Sequence, residues 1–260
     1  MGWRIEPVFQ IQLHIKDLAL IEAIRAHLKG VGKIYVKKNS VIFMVRTLNE
    51  LEVIIEHFDK YCLITEKWAD YLLFKEIVTL MQNKEHLTSK GLQKILDIRA
   101  SINNGITDLI QTNFPKTKAV PRPLVEKIIP HNDWVAGFTS AEGSFMVVIR
   151  KNVFSGLKFS ICQHSRDKEL MRSLVEFFDC GHFYLESTGK VCRFVCYKLS
   201  DINDKVIPFF QQHSVVGVKS EDFKDWCKIV GLVKNKALTF ETKEDVNAEI
   251  LQISARINKR

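Results

Sequence analysis

Several features that would point to a metal or disulfide protein are absent from this sequence. No C-x-x-C pair occurs, and there is no H-E-x-x-H motif, so neither a zinc site nor a disulfide framework is indicated. We therefore expect free thiols in a reducing compartment. The cysteines concerned are Cys62, Cys162, Cys180, Cys192, Cys196 and Cys227.

Long apolar runs and targeting signals are absent too. No stretch approaches the roughly 18 apolar residues that a membrane span requires. The beginning of the chain, MGWRIEPVFQ, has neither the apolar core of a signal peptide nor the Arg- and Ser-rich composition of a transit peptide. We expect a soluble protein that acts where it is made and has no membrane partner.

Positive charge, by contrast, is in surplus. The 260 residues include 38 Lys and Arg against 30 Asp and Glu, which gives a formal net charge of +8. The hydrophobic content of 46% is enough for one large core or two ordinary ones. A surplus of this size fits a polyanionic partner such as nucleic acid, and it also fits an ordinary solvated surface. Charge alone leaves both interpretations open.

The chain also repeats itself. FQIQLHIKD at residues 9–17 matches FSICQHSRD at residues 159–167. Further matching blocks follow in the same order: GKIYV with GHFYL, FMVRTLNEL with FVCYKLSDI, EKWADYLLF with VKSEDFKDW, and ASINN with ARINK. An ordered repeat at a nearly constant offset predicts two copies of one structural unit.

Each copy is predicted to run strand, helix, strand, strand, helix, helix. VFQIQLH and KIYVKKNSVIFMV alternate apolar and polar residues, with KKNS as a hairpin turn, and helical spacing begins after Asp17, a predicted N-cap. Two mixed α+β domains are therefore predicted, at residues 1–104 and 132–260. Residues 105–131 hold four of the six prolines and predict a mostly irregular linker.

One segment of the second copy has no counterpart in the first. DWVAGFTSAEGSFMVVIRKN, residues 133–152, predicts a short helix and then a strand. The helix places Glu142 at its C-terminal end, where the helix dipole disfavours negative charge. Gly137, Ala141 and Gly143 are small, so a second helix could pack closely here. A bound divalent metal would outweigh the dipole; the alternative is an ordinary solvated carboxylate.

VAGFTSAEG, residues 135–143, resembles the signature of LAGLIDADG homing endonucleases. GVKSEDFKDWCKI and SDINDKVIPFFQQ resemble blocks of the single-chain, intron-encoded members, so the resemblance extends over essentially the whole chain. It implies an α+β fold of two pseudo-symmetric αββαββα repeats, the first without its first helix and strand. It also implies saddle-shaped antiparallel sheets in the DNA major groove, and motif helices whose terminal acids bind metal over the scissile phosphates.

The function implied by the resemblance is site-specific, metal-dependent cleavage of double-stranded DNA by a monomer encoded in a mitochondrial intron. Phosphodiester hydrolysis needs a metal to activate water, and Mg²⁺ prefers carboxylate, phosphate and water oxygens. Leu13, the counterpart of Gln163, could not position water, so the two halves are not equivalent. The implied catalytic residues are Glu142, Lys67, Lys219 and Gln163, and the implied metal ligands are Glu142 and Gly143.

DNA would be read by the strand residues that face away from the helices. Arg and Gln can pair in a bidentate manner with guanine and adenine, and Lys contacts to phosphate supply salt-dependent affinity. A half-exposed strand is also polar on one face for solubility alone. The first copy contributes Arg4, Glu6, Gln10, Gln12, Tyr35, Lys37 and Arg46. The second contributes Ser144, Met146, Val148, Arg150, Lys158, Ser160, Cys162, His182, Tyr184, Arg193 and Tyr197.

A two-motif member of this family carries two terminal acids, whereas only Glu142 is found here. We therefore expect poor double-strand cleavage, or nicking. Three explanations stay open: the sequence begins downstream of the natural start, the gene is a decaying remnant, or the protein is retained for another role. The alternative function is that of a maturase, which would bind its own group I intron RNA mainly through backbone and shape.

Overall fold

The chain divides into two compact units, Met1–Glu126 and Lys127–Arg260. The computed structural model describes residues 3–235 and 243–257. Residues 105–126 of the predicted linker belong to the first unit and residues 127–131 to the second. The finer division at residues 104 and 132 stays a prediction. None of the described helices is both long enough and apolar enough to span a membrane.

The first unit is built on an antiparallel sheet of strand order β1-β3-β2. One helix lies between β1 and β2 in the chain, and the others follow the sheet and continue into the predicted linker. The elements are β1 (Phe9–His14), α1 (Leu18–His27), β2 (Lys33–Val36), β3 (Ser40–Val45), α2 (Leu48–Lys60), α3 (Lys67–Gln82), α4 (Ser89–Arg99) and α5 (Asp108–Asn113).

The second unit has a four-stranded antiparallel sheet of order β4-β5-β7-β6. A helix precedes this sheet. A π-helical turn at residues 202–206 joins α8 to α9. The elements are α6 (Asn132–Glu142), β4 (Gly143–Arg150), β5 (Val153–His164), α7 (Lys168–Phe178), β6 (His182–Leu185), β7 (Val191–Cys196), α8 (Leu199–Asp201), α9 (Ile207–Gln212), α10 (Lys219–Asn235) and α11 (Lys243–Ser254).

Apolar residues on alternate strand positions place the core on one face of each sheet. In the second unit Phe145, Phe159 and Phe194 are 0% exposed and belong to one cluster with Trp226 of α10. The indole Nε1 of Trp226 also donates to the carbonyl of Met146 at 3.0 Å. Burying each such aromatic side chain contributes about 1.5–3 kcal/mol. The opposite face of the sheet is left for polar side chains.

The strand register confirms the repeat. Phe9 of β1 lies opposite Val45 of β3, and Phe159 of β5 lies opposite Cys196 of β7, so the matching blocks occupy the same element in both units. Within residues 3–126 no helix or strand corresponds to α6 and β4. The predicted α+β fold, with a shorter first repeat, is confirmed. Of the ARINK block, Asn258 and Lys259 lie outside the described residues.

One local prediction needs correction, and another gains a detail. Asp17 occupies the N-cap position of α1, but its side chain makes no capping hydrogen bond. Instead His14 begins a 3₁₀ turn by accepting the Lys16 N–H at 3.3 Å through Nδ1. The segment predicted to be mostly irregular contains one short helix, α5, in which the Thr107 hydroxyl accepts the Ile110 N–H at 3.4 Å. Threonine at an N-cap was a signal available in the sequence.

Candidate functional site

The predicted acid does lie at the end of a helix. Glu142 is the last residue of α6, its side chain is exposed, and Gly143 begins β4 without an intervening loop. A Cβ at Gly143 would lie 2.5 Å from Thr139 Cγ2 and 2.6 Å from the Thr139 carbonyl oxygen. Only glycine therefore permits this immediate helix-to-strand junction, and the junction fixes where the carboxylate of Glu142 is presented.

The segment that leads into α10 is tied to α6. The Ser140 hydroxyl donates to the Ala136 carbonyl at 2.8 Å and accepts the Val216 N–H at 3.0 Å. Three residues later, the Lys219 ammonium donates to the Gly143 carbonyl oxygen. A positive charge at the C-terminal end of α6 offsets the helix dipole. The unfavourable position of Glu142 is thus partly relieved by a neighbouring lysine.

The donors at this end of α6 fit a hard divalent cation only in part. Carboxylate and carbonyl oxygens, from Glu142 and Gly143, are the ligand types that Mg²⁺ prefers. Among the described residues, however, no group of three or more His, Cys, Asp or Glu could hold a metal ion. The Gly143 carbonyl already accepts from Lys219. A metal here would need further oxygens from water or substrate.

The two predicted lysines occupy equivalent places but make different contacts. Lys67 is the first residue of α3, as Lys219 is of α10. Whereas Lys219 reaches the Gly143 carbonyl, the Lys67 ammonium donates to Asn103 Oδ1 at 2.7 Å and lies 3.5 Å from Asp70 Oδ2. Lys67 is thus held by two side chains, whereas Lys219 contacts a backbone carbonyl.

The carboxylate that pairs with Lys67 is buried. The Asp70 side chain is only 8% exposed, and its Oδ1 accepts the Asn103 N–H at 3.0 Å and Arg122 Nη1 at 2.7 Å. Burial alone would raise the pKa of Asp70, but the hydrogen bonds from Asn103 and Arg122 and the charges of Arg122 and Lys67 outweigh burial and lower that pKa.

Arg122 holds this arrangement together, and sequence reasoning missed it. Its guanidinium also donates to the carbonyls of Ser101 at 2.5 Å and Glu66 at 3.1 Å. Arg122 lies in the predicted linker, so proximity along the chain gave no indication of its role. The sequence signal available for this arrangement was the K-x-x-D spacing at Lys67 and Asp70, which recurs in the second copy.

Gln163 lies near the end of β5, on the core-facing side of the sheet. Its Oε1 accepts the backbone N–H of His164 at 2.9 Å, and Leu13, its counterpart, is opposite Val41 in the first sheet. The amide is thus engaged locally. The predicted role of Gln163 in positioning water stays a prediction.

The strands of the second unit bring most of the predicted DNA-reading residues onto one face. Ser144, Ser160, Val195 and His182 form one row across the sheet. Two more rows follow in register. They contain Met146 with Lys158, and Cys162 with Arg193 and Tyr184. Farther along β4, Val148 and Arg150 continue the same alternation, and Tyr197 follows the end of β7.

Besides Val195, which is 1% exposed, Ser160 is also buried in this row. It is only 4% exposed, because it lies on an inner strand between larger neighbours, so its hydroxyl is not available on the face. Lys158, on the same strand, is half-buried, with its ammonium 5.8 Å from the centre of the Tyr197 ring. The prediction that Ser160 reads DNA is therefore corrected, since a side chain without exposed surface cannot contact a ligand.

In the first unit the predicted set lies less completely on strands. Gln10 and Gln12 are exposed on β1, and Tyr35 is exposed on β2. Arg4 and Glu6 precede β1, which is shorter than the alternating pattern predicts. Lys37 and Arg46 directly follow β2 and β3. Glu6 nevertheless lies near the sheet, with Oε1 3.5 Å from Arg46 Nη1.

One acidic residue that sequence reasoning overlooked belongs to the second sheet face. Both Nε and Nη2 of Arg193 donate to Glu186 Oε1, at 2.9 and 2.6 Å. The hydrogen bonds that Arg193 donates to Glu186 raise the pKa of Arg193 above its ordinary value. Periodicity along β6 could have placed Glu186 on this face, but not in contact with Arg193.

Comparison with known proteins is consistent with this geometry. A family model described as LAGLIDADG endonuclease matches residues 1–78 and 135–230. The chain belongs to the LAGLIDADG endonuclease family. The predicted membership is confirmed.

Two curated relatives of this LAGLIDADG chain come from the fungus Neurospora crassa. "Probable intron-encoded endonuclease 2" of Neurospora crassa is 38% identical over 252 residues, which cover 91% of this chain and 55% of the relative. "Probable intron-encoded endonuclease 3" of the same species is 34% identical, covering 98% of this chain and 49% of the relative. The chain thus spans about half the length of these curated relatives.

Solved structures of the family resemble the chain over nearly its whole length. The homing endonuclease I-GzeII in complex with its DNA target has a TM-score of 0.94 and 40% identity, covering 99% of this chain and 90% of that one. I-SmaMI bound to cleaved DNA has a TM-score of 0.93 and 38% identity, covering 99% and 88%. Both confirm the predicted fold class.

Proposed function

We propose that this LAGLIDADG chain is a site-specific endonuclease that hydrolyses phosphodiester bonds in double-stranded DNA. The observation that carries the proposal is the junction of α6 with β4. There an exposed carboxylate, Glu142, directly precedes a strand whose outward residues begin a broad polar sheet face. The DNA complexes solved for related proteins support the same function.

Recognition would use the outward side chains of the two sheets. Gln10 and Gln12 each carry a donor and an acceptor that fit the adenine edge in the major groove, and Arg193 carries the two donors that fit the guanine edge. Lys37, Arg150 and Lys158 would contact phosphates and supply affinity that declines with salt. The positive surplus of the chain favours association with a polyanion of this kind.

At the reacting phosphate, Glu142 would hold a divalent cation together with the Gly143 carbonyl oxygen. Such a cation, Mg²⁺ in our proposal, activates water and stabilises the leaving oxygen. The ammonium of Lys219, fixed beside Gly143, would stabilise the negative charge that develops on the phosphate. Lys67 would act in the same way in the first unit, held in place by Asn103 and Asp70.

We further propose that the gene lies in an intron, which the names of the two Neurospora crassa relatives support, and that this intron is mitochondrial. The intron RNA is then the competing ligand. The test compares binding to a duplex library of candidate intron insertion sites with binding to a folded group I intron RNA at equal salt. Duplex binding should be tighter, with a log–log salt slope of about −0.9 per phosphate contact. Tighter binding to the RNA would replace this proposal with the maturase function.

The role of Glu142 has its own test. In Glu142→Gln the shape is kept and the charge is lost, so cutting or nicking should disappear while duplex affinity stays equal or improves, because repulsion from the phosphates is relieved. Glu169→Gln is the matched control, since Glu169 is an exposed acid on α7, paired with Arg172 at 2.8 Å. Unchanged cutting after Glu142→Gln would mean that the chemistry lies on other residues.

A further inference from the structure

We propose that Glu186 is a specificity-determining residue of the second sheet. Its carboxylate fixes the guanidinium of Arg193 so that Arg193 reads one base pair instead of binding the nearest phosphate. The inference rests on the proposed DNA-binding function and adds to it a residue that makes recognition selective. It is carried by the position of the pair, by its hydrogen bonds and by its absence from the other unit.

The pair stands on the sheet face that carries the predicted reading residues. Arg193 lies opposite Tyr184 in the register of β7 and β6. Glu186 is two residues beyond Tyr184, so it projects from the same face as a diagonal neighbour of Arg193. The side chains of Arg193 and Glu186 are 39% and 36% exposed, which leaves both within reach of a ligand.

The hydrogen bonds use one edge of the guanidinium and leave another free. Nε and Nη2 of Arg193 both donate to Glu186 Oε1, at 2.9 and 2.6 Å. Of the five N–H donors of an arginine, those on the edge formed by the two Nη atoms can still make a parallel pair of bonds, the geometry that fits N7 and O6 of guanine. A guanidinium held before binding loses less side-chain freedom on binding.

The charge of Glu186 is otherwise unfavourable on such a surface. A carboxylate repels DNA phosphates and lowers general affinity. A residue that breaks the expected pattern in this way indicates a functional requirement. Glu186 also neutralises the charge of Arg193, so Arg193 attracts phosphates of any DNA sequence less strongly. What Arg193 still contributes to the binding free energy then depends on the base that it contacts.

The fold itself does not require the pair. In the first unit the position equivalent to Glu186 is Lys37, and the position opposite Tyr35 is Ile42. That sheet forms with the same register and without the ion pair. The pair is therefore a property of the second face and not of the repeated scaffold.

The test selects sequences from a randomised duplex DNA library with the full chain, Glu186→Gln and the control Glu169→Gln. Glu186→Gln should lose a preference of roughly 5- to 150-fold at one base-pair position. Its binding to duplex of unselected sequence should become tighter, with a salt slope steeper by about 0.9. Glu169→Gln removes the same charge from α7 and should keep every sequence preference.

A second variant locates the effect. Arg193→Gln should lose preference at the same base-pair position as Glu186→Gln, because both remove one oriented guanidinium. The inference is overturned if the parent chain selects a sequence and Glu186→Gln selects the same sequence with equal stringency, or if the two variants affect different positions. If the parent chain selects no DNA sequence at all, the proposed function is refuted together with this inference, which is a distinguishable result.

Discussion

Substitution of Arg122 should destabilise the first unit far more than its half-buried position in an irregular segment would suggest. In Arg122→Ala the carboxylate of Asp70, with its side chain 8% exposed, keeps only the Asn103 N–H and Lys67 at 3.5 Å. Removing one partner of a buried ion pair costs about 3–5 kcal/mol. Because the Arg122 side chain is 30% exposed, water can partly replace it, and we expect about 2–3 kcal/mol.

The assay is hydrogen exchange, which reports on each unit separately where a global melt would mix the two. Peptides from α3 and α4 should exchange faster in Arg122→Ala, whereas those from α10 should not change. Lys94→Ala is the control, since Lys94 forms an exposed pair with Glu76 at 3.0 Å in the same unit. It should change stability by less than about 0.5 kcal/mol.

A double variant separates the charge from the packing. Adding Asp70→Asn to Arg122→Ala removes the uncompensated carboxylate while keeping an acceptor for the Asn103 N–H, so it should recover part of the lost stability. By contrast, Asp70→Asn in the parent chain should destabilise. Additive losses from the two substitutions, or a loss in Arg122→Ala no larger than in the control, would refute the account of Arg122 as the counter-charge of Asp70.

Further outcomes concern the junction, the thiols and acid stability. Gly143→Ala should lower the free energy of unfolding by about 1–3 kcal/mol, measured with denaturant, because its Cβ would overlap Thr139. Cys62 is exposed and should react first with an alkylating reagent, as followed by mass spectrometry. Cys196 and Cys227 should react later, because burial raises the pKa of each thiol to about 12. Because the pKa of Asp70 is lowered in the fold, its contribution to stability should be complete at neutral pH and decline below about pH 4.

The architecture could be predicted because the sequence contains a repeat. Alternating residues such as Gln10 and Gln12 indicated which strand face is polar, and small residues around Glu142 indicated a helix end of special kind. Contacts between distant segments could not be predicted in this way. Arg122 reaches Asp70 across 52 residues, and no local pattern encodes such a contact.

Side-chain burial and strand length could not be predicted from the sequence alone either. Periodicity assigns Ser160 to the polar face, but whether a small hydroxyl stays exposed depends on the neighbours that rise around it, and those are set by sheet order. Arg4 and Glu6 continue an alternating pattern beyond the point where β1 has a pairing partner. A strand ends where its neighbour does, which is a property of the sheet and not of one segment.

The shared register of the two sheets has an evolutionary consequence. In a symmetric homodimer each substitution alters both halves at once, so the surface can change only in matched pairs. Here Arg193 and Ile42 occupy equivalent points of one scaffold, as do Glu186 and Lys37, and each is encoded once. A mutation in one copy leaves the other untouched, so the two surfaces can diverge independently while the core under each stays under the same constraint.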